Sequence, residues 1–296
     1  MEGQEAGEGA GKGFRAIADE LRGRIADGLY PLRSFLPSQR DLAEELGISR
    51  DTVQRALREL SDEGWIESRQ GSGSRVIKVQ RIQSTVAKAT RLSRGVTLDL
   101  FISEAFEAPE VALDVYTLTS ESLSAHIGLQ AQRIRRGSIS PERITLRMLL
   151  PDASLPLPYP RAKEDRSDTR PLERLRAITE LHTTSLQTAL NDLRTEKLVP
   201  SVEVHIRHVP LPPAFKLYLL NGMEALHGMY EVVERPMQLE GGEVVTALDV
   251  IGLGSTLTHH VKDQDPQSSG SVFVESMRLW FDSVWERLAS EREPGK

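Results

Sequence analysis

The 296-residue chain reads as an α/β protein overall, with a small N-terminal unit of helices and a hairpin and a larger α/β C-terminal domain. Three observations predict this. Short apolar-periodic segments crowd the first quarter of the chain and run into two β-prone stretches around a Gly-rich turn. A polar, basic stretch then breaks the apolar pattern. Beyond it, strand-like runs alternate with long helical patterns, as layered α/β domains require.

The elements follow in chain order. Residues 1–13 are acidic and Gly-rich, lack the basic start and apolar stretch of a secretory signal, and read as a disordered tail. Residues 14–28 set Phe14, Ile17, Ala18, Leu21 and Ile25 at helical spacing, and Gly28 ends the pattern. A second, shorter helix is expected over 38–46. Ser38 and Asp41 have the spacing of a capping box, in which serine oxygen and carboxylate satisfy free N–H groups at a helix start. Gly47 closes it. A third helix, 49–62, has Ser49 as its N-cap and Val53, Ala56, Leu57 and Leu60 as an apolar stripe. Its opposite face carries Arg50, Gln54, Arg55 and Arg58. Two β-prone runs, 65–68 and 75–79, flank a turn over 69–74. Helix, helix, tight turn, helix and glycine-tipped hairpin make a winged helix-turn-helix over residues 14–79, the geometry that sets one helix into a major groove.

Residues 80–96 read as a basic linker. The C-terminal domain, 97–290, is expected to hold strands at 111–118, 144–150, 202–209, 230–233 and 244–251, and helices at 122–136, 171–197 and 272–288. Residues 151–171, with five prolines, read as an irregular loop. In the strand at 202–209, Val202, Val204 and Ile206 share one side, while Glu203, His205 and Arg207 form a polar row that could line a ligand cleft. Trp280, Phe281 and Trp285 on the last helix suit a core, an effector pocket or a dimer contact.

Net charge is −6, so nucleic-acid binding must rest on local charge. Arg69, Arg75, Lys78, Arg81, Lys88, Arg91 and Arg94 supply it, with no acidic residue among them. There is no cysteine, which excludes disulfides, thiolate metal sites and a cysteine nucleophile, and fits a reducing cytoplasm. No apolar run approaches the roughly 20 residues that cross a bilayer. No metal site and no cofactor are expected; His259-His260 has no third ligand at convincing spacing.

The run Leu36-Pro37-Ser38-Gln39-Arg40-Asp41-Leu42-Ala43-Glu44-Glu45-Leu46-Gly47-Ile48-Ser49-Arg50-Asp51-Thr52-Val53-Gln54-Arg55-Ala56-Leu57 resembles the GntR-type regulators. Glu63-Gly64-Trp65-Ile66 and Arg69-Gln70-Gly71-Ser72-Gly73 follow in the same register. The resemblance implies a winged helix that dimerises on palindromic double-stranded DNA and an effector-binding C-terminal domain. Carried over residue by residue, it gives Arg40 a phosphate or base, Ser49, Arg50 and Thr52 the start of the recognition helix, and Gly71, Ser72 and Gly73 the wing tip, with Arg75 beside it on the basic strand. Arginine suits guanine O6 and N7, whereas Gln54, where the family often has arginine, suits adenine; Arg55 is placed for a phosphate.

The strands argue against the all-helical subfamily and the chain length against the aminotransferase-like one, while a lyase-like effector domain of the sugar-sensing kind stays open. The span from Tyr218-Leu219-Leu220-Asn221-Gly222 to Trp280-Phe281-Asp282-Ser283-Val284-Trp285 is similar to regulators with a phospholipase D-like C-terminal domain. Active members of that superfamily have His-x-Lys and an aspartate five residues after the lysine. His260-Val261-Lys262 matches the first part, but position 267 is Gln267. A homodimeric, non-enzymatic DNA-binding regulator with a small-molecule effector is therefore expected. The competing readings are a DNA-targeted phosphodiesterase or hydrolase and a DNA-binding protein without an effector.

Overall fold

The computed structural model describes residues 14, 17–18, 20–22, 24–25, 29–30, 34–62, 65–69, 73–76, 81–84, 98–239, 243–251 and 256–291. The chain packs as two compact units, residues 1–79 and 80–296. The fold is mixed helix and sheet, with a small N-terminal winged helix and a larger, sheet-rich C-terminal domain.

In the first unit the described residues between 14 and 25 are helical, and Ala18, Leu21 and Ile25 are buried. Helix α1 (Gln39–Leu46) starts as expected: the Ser38 side chain accepts a hydrogen bond from the Asp41 backbone N–H at 3.2 Å. It stops at Gly47, whose φ of 65° is left-handed, a conformation that a side chain would strain. Helix α2 (Arg50–Asp62) buries Val53, Ala56, Leu57 and Leu60. Buried Arg22 reaches Glu59 at 3.0 Å, pinning the first helical segment to α2. Strands β1 (Ile66–Arg69) and β2 (Gly73–Val76) form an antiparallel hairpin. The hairpin sits one step off expectation. Arg69 pairs with Gly73, so the ladder takes in Arg69, Gly73 and Ser74, which the sequence assigns to the turn.

The second unit is built on a seven-stranded sheet. Its strands are β3 (Arg81–Ser84), β4 (Glu110–Tyr116), β5 (Arg143–Pro151), β7 (Ser201–Val209), β8 (Phe215–Leu220), β9 (Glu224–Met229) and β12 (Thr256–Val261), in the order β3-β12-β9-β8-β4-β5-β7. Strands β4, β5 and β7 run parallel, joined by crossover helices α4 (Glu121–Arg135) and α5 (Arg170–Thr195). Helix α3 (Leu98–Ala105) joins α4 and α5 over one face, where Leu98, Ile127, Leu146, Met148, Leu186 and Leu190 form the main core. Helix α6 (Ser269–Arg287) covers the other with Val274, Phe281, Val284 and Trp285. A smaller sheet orders β10 (Glu231–Gln238), β11 (Val244–Ile251) and β6 (Arg161–Ala162).

Two expectations need correction. The basic linker begins instead as β3, which pairs in parallel with β12; 85–96 lies outside the described residues. An edge strand needs only main-chain partners on one side, so its composition can be that of a linker. The loop expected over 151–171 contains β6, whose two residues pair with Ala247 and Leu248. Four elements carried no expectation at all: α3, β8, β9 and β12.

Candidate nucleic-acid interface and C-terminal cavity

Three residues, Gly47, Ile48 and Ser49, separate α1 from α2. The turn that they make fixes the start of α2. The Ser49 hydroxyl accepts a hydrogen bond from the Thr52 backbone N–H at 3.2 Å and lies 2.8 Å from the Thr52 hydroxyl. Both residues therefore stabilise the first turn from which Arg50 projects. Arg50, Gln54 and Arg58 are exposed and recur every four residues, so they line one stripe of α2 opposite its buried face. Arg50 and Arg58 make no hydrogen bond or ion pair among the described residues, which leaves two solvated cations on that stripe. Arg58 is absent from the residues that the family resemblance assigns; its period from Arg50 is the signal that points to it.

Arg40, at the start of α1, keeps a side chain 72% exposed and lies 3.6 Å from Asp41. Arg55 stands apart from this exposed group. Its guanidinium lies 4.4 Å above the Phe14 ring, a cation–π contact that turns it toward the first helical segment. On the hairpin, the Ser68 and Ser74 hydroxyls meet at 2.8 Å. Main-chain bonds from Leu36 to Ser74 and from Val76 to Ser34 tie residues 34–36 to β2 through a single antiparallel bridge, Phe35 to Arg75. Gly73 has a φ of 83°, which only glycine adopts without strain, and Arg75 is exposed on β2. Gly71 and Ser72 lie outside the described residues. An amphipathic helix with a solvated arginine stripe, held by a buried face and flanked by a hairpin, can present guanidinium forks to base edges and phosphates.

The second unit contains a cavity of about 420 Å³. Leu150 and Pro151 of β5 and His208 of β7 line it at the carboxyl ends of parallel strands, where open α/β sheets bind ligands, and Val204 and Ile206 line it from the middle of β7. Helix α5 supplies Leu175, Arg176, Thr179, Glu180, Thr183, Thr184 and Gln187, one face at helical spacing. Its fully buried residues, Leu186, Leu190 and Leu193, anchor the neighbouring face in the core. Of the polar row read from β7, His205 lines this cavity, whereas Glu203 and Arg207 do not. The C-terminal segment closes the edge of β7 through paired main-chain bonds between His208 and Ser290.

The aromatic group on α6 is core. Phe281 and Trp285 are buried, and Trp280 packs 5.0 Å from Tyr116 and 5.1 Å from Phe215. In the His260-Val261-Lys262 element, His260 stacks on Phe273 at 3.8 Å and Lys262 pairs with Glu275 at 3.0 Å. Among the described residues no three His, Asp or Glu side chains converge as metal ligands, and no helix is long and apolar enough to cross a membrane.

Residues 14–76 match the family described as bacterial regulatory proteins, gntR family. An uncharacterized HTH-type transcriptional regulator of Rhizobium meliloti is 35% identical over 82 residues, 28% of this chain and 34% of the relative. Another, from Mycobacterium tuberculosis, is 47% identical over 58 residues, 20% of this chain and 24% of the relative. The mannosyl-D-glycerate transport/metabolism system repressor of Escherichia coli is 40% identical over 77 residues, 26% of this chain and 32% of that protein. This chain thus spans between 24% and 34% of the length of these relatives. Residues 14–76 are a GntR-family helix-turn-helix domain.

Proposed function

We propose that the protein is a sequence-specific transcriptional regulator that binds a palindromic operator as a homodimer and responds to a small molecule held by its C-terminal domain. The observation that carries the reading is the exposed Arg50–Gln54–Arg58 stripe of α2, two of whose members are unpaired cations, on a domain that matches a regulatory family. Arg50 reads guanine through a bidentate contact, Gln54 reads adenine, and Ser49 and Thr52 position the helix start against the backbone. Arg40, Arg58 and Arg75 supply phosphate contacts, Arg55 a phosphate contact when released from Phe14, and the wing residues Gly71, Ser72 and Gly73 approach the minor groove. One head buries too little for tight binding, so two heads on half-sites about one helical turn apart give the affinity.

The cavity on β5, β7 and α5 is the effector site in this reading. An effector shifts DNA affinity by as much as it prefers one arrangement of the dimer over the other. The test is selection of bound DNA from a random duplex pool with the purified full-length chain at physiological salt. A palindrome enriched from the pool is the expected result. Folded protein that retains no common sequence would overturn the reading.

A further inference from the structure

We infer that the C-terminal cavity takes a small apolar molecule carrying a positive charge, a hydrophobic amine by chemical class, in preference to a carboxylate or a phosphate. The inference rests on reading this unit as an effector domain and concerns which chemistry it selects.

The floor argues for an apolar body. Val204 and Ile206 are only partly buried, although Leu146 and Met148, their pairing partners on β5, are fully buried. These two β-branched side chains lie on β7, the edge strand of the sheet, and keep apolar surface open toward the cavity, where Leu150 and Leu175 join them. Covering that surface with an apolar ligand removes it from water. A volume of about 420 Å³ lies within the span of roughly 300–1,000 Å³ usual for small-molecule sites.

The rim argues for a cation. Three carboxylates line it, those of Asp152, Glu180 and Glu291, against a single guanidinium, that of Arg176. Arg176 already donates to the Ala153 carbonyl. His205 has its own carboxylate neighbour, Glu203, at 3.8 Å. Asp152 accepts hydrogen bonds from the Ser154 N–H at 2.8 Å and the Ser154 hydroxyl at 2.7 Å. Glu291 lies 3.7 Å from Arg207. Glu180 has no hydrogen bond or ion pair among the described residues, and it projects from the same face of α5 as Thr184 and Gln187. An anionic ligand would meet this excess of negative charge, a neutral one would leave Glu180 unused, and a cationic one complements it.

The experiment is calorimetric titration of the full-length protein with phenethylamine and tryptamine, and with 3-phenylpropionate and indole-3-acetate as charge-reversed counterparts. The amines should bind about tenfold or more tightly than the acids. Glu180→Gln should weaken amine binding about fivefold, as expected for a partly solvated ion pair. Thr184→Arg, which sets a cation beside the rim, should weaken it further. Both positions are exposed on a long helix, so unchanged helical circular dichroism checks that the variants fold. Acids that bind as well as the amines, probes that do not bind at all, or Glu180→Gln without effect would each overturn the inference. Repeating the operator titration with saturating amine separates this from the effector reading. Amine binding with unchanged DNA affinity leaves the ligand class standing and removes the regulatory role; a shifted affinity supports both.

Discussion

Helix α2 and the α6 face of the large sheet use arginine in opposite ways. On α2, Arg50 and Arg58 stand in solvent with no hydrogen bond or ion pair among the described residues. In the C-terminal unit, Arg147 donates to both Asp114 oxygens at 2.6 Å and to Asp282 at 2.9 Å, and lies over the Phe281 and Trp285 rings. Arg278 holds Glu275 so firmly, with Lys262 helping, that the Glu275 carboxyl is pushed down to about 2. A guanidinium against a sheet loses part of its hydration and must find carboxylates. One on an exposed helix face remains hydrated and can exchange water for an external anion. The difference teaches that a row of solvated cations on one helix face marks an interface, whereas net charge, arginine number and the lack of a partner do not, since Arg136, Arg143 and Arg287 of the C-terminal unit are also exposed with no side-chain hydrogen bond or ion pair among the described residues.

The strongest way to break the comparison is to unfold one side of it. Leu60 is fully buried on the face of α2 opposite the arginine stripe, so Leu60→Ala should destabilise the N-terminal unit by about 2–5 kcal/mol. DNA binding should be lost while the C-terminal unit keeps its own melting transition in calorimetry. A single cooperative transition that shifts as a whole would show that the units are not energetically separate.

The next two changes remove one arginine from each side. Arg147→Met leaves Asp114 and Asp282 without their shared cation; with the site 28% exposed, the loss should be about 2–3 kcal/mol after allowance for solvent screening. Operator affinity of the folded protein should not change. Arg50→Ala should do the reverse, weakening specific binding by about 1–3 kcal/mol in a fluorescence titration, with relaxed base preference at one position and an unchanged melting temperature. If Arg50→Ala instead lowers the melting temperature and spares DNA binding, the stripe is structural and the comparison fails.

How much of this was legible in the sequence differs between the units for a physical reason. In the N-terminal unit, local signals decide the structure: Ser38 caps α1, Gly47 ends it, and the four apolar residues of α2 repeat at helical period. In the C-terminal unit, tertiary pairing decides several elements. Strand β8 is Phe215-Lys216-Leu217-Tyr218-Leu219-Leu220, buried from Lys216 onward on both faces, so it lacks alternation. Its turn to β9 did carry a signal, Asn221-Gly222, both at positive φ, the dipeptide most typical of tight hairpins. Strands β3 and β6 exist because β12 and β11 offer them an edge, and nothing within their few residues announces it. Of the interface, the face of α2 was readable from period and resemblance. The Phe14 contact that withdraws Arg55 was not, since it joins residues 41 positions apart through the fold. The cavity was visible only as His205; its α5 face has the period of an ordinary solvated helix side.

The smallest expected effect comes from acid, and it too falls on one side only. All seven histidines lie beyond residue 125. His227 is held below its ordinary value of 6.5 by burial, its ring 5.1 Å from Phe215 and 5.6 Å from Phe273. His260 is lowered first by burial and then by the neighbouring His227 and His259. It stacks on Phe273, with Nε2 3.1 Å from the Thr258 hydroxyl. Between the folded value and 6.5 the unfolded chain binds more protons than the folded one, so stability rises with pH across that window. The contribution is complete above 6.5 and is lost as pH falls below it. Acidification from pH 7.5 to 5.5 should therefore lower the melting temperature of the C-terminal unit more than that of the N-terminal unit, which contains no histidine. His227→Phe should reduce that difference, because phenylalanine keeps the ring packing and removes the proton site. A C-terminal transition that shifts no further than the N-terminal one, in a protein with both histidines intact, would mean that the folded unit accommodates the protonated rings, and that the apolar packing of Phe273 against them does not exclude charge.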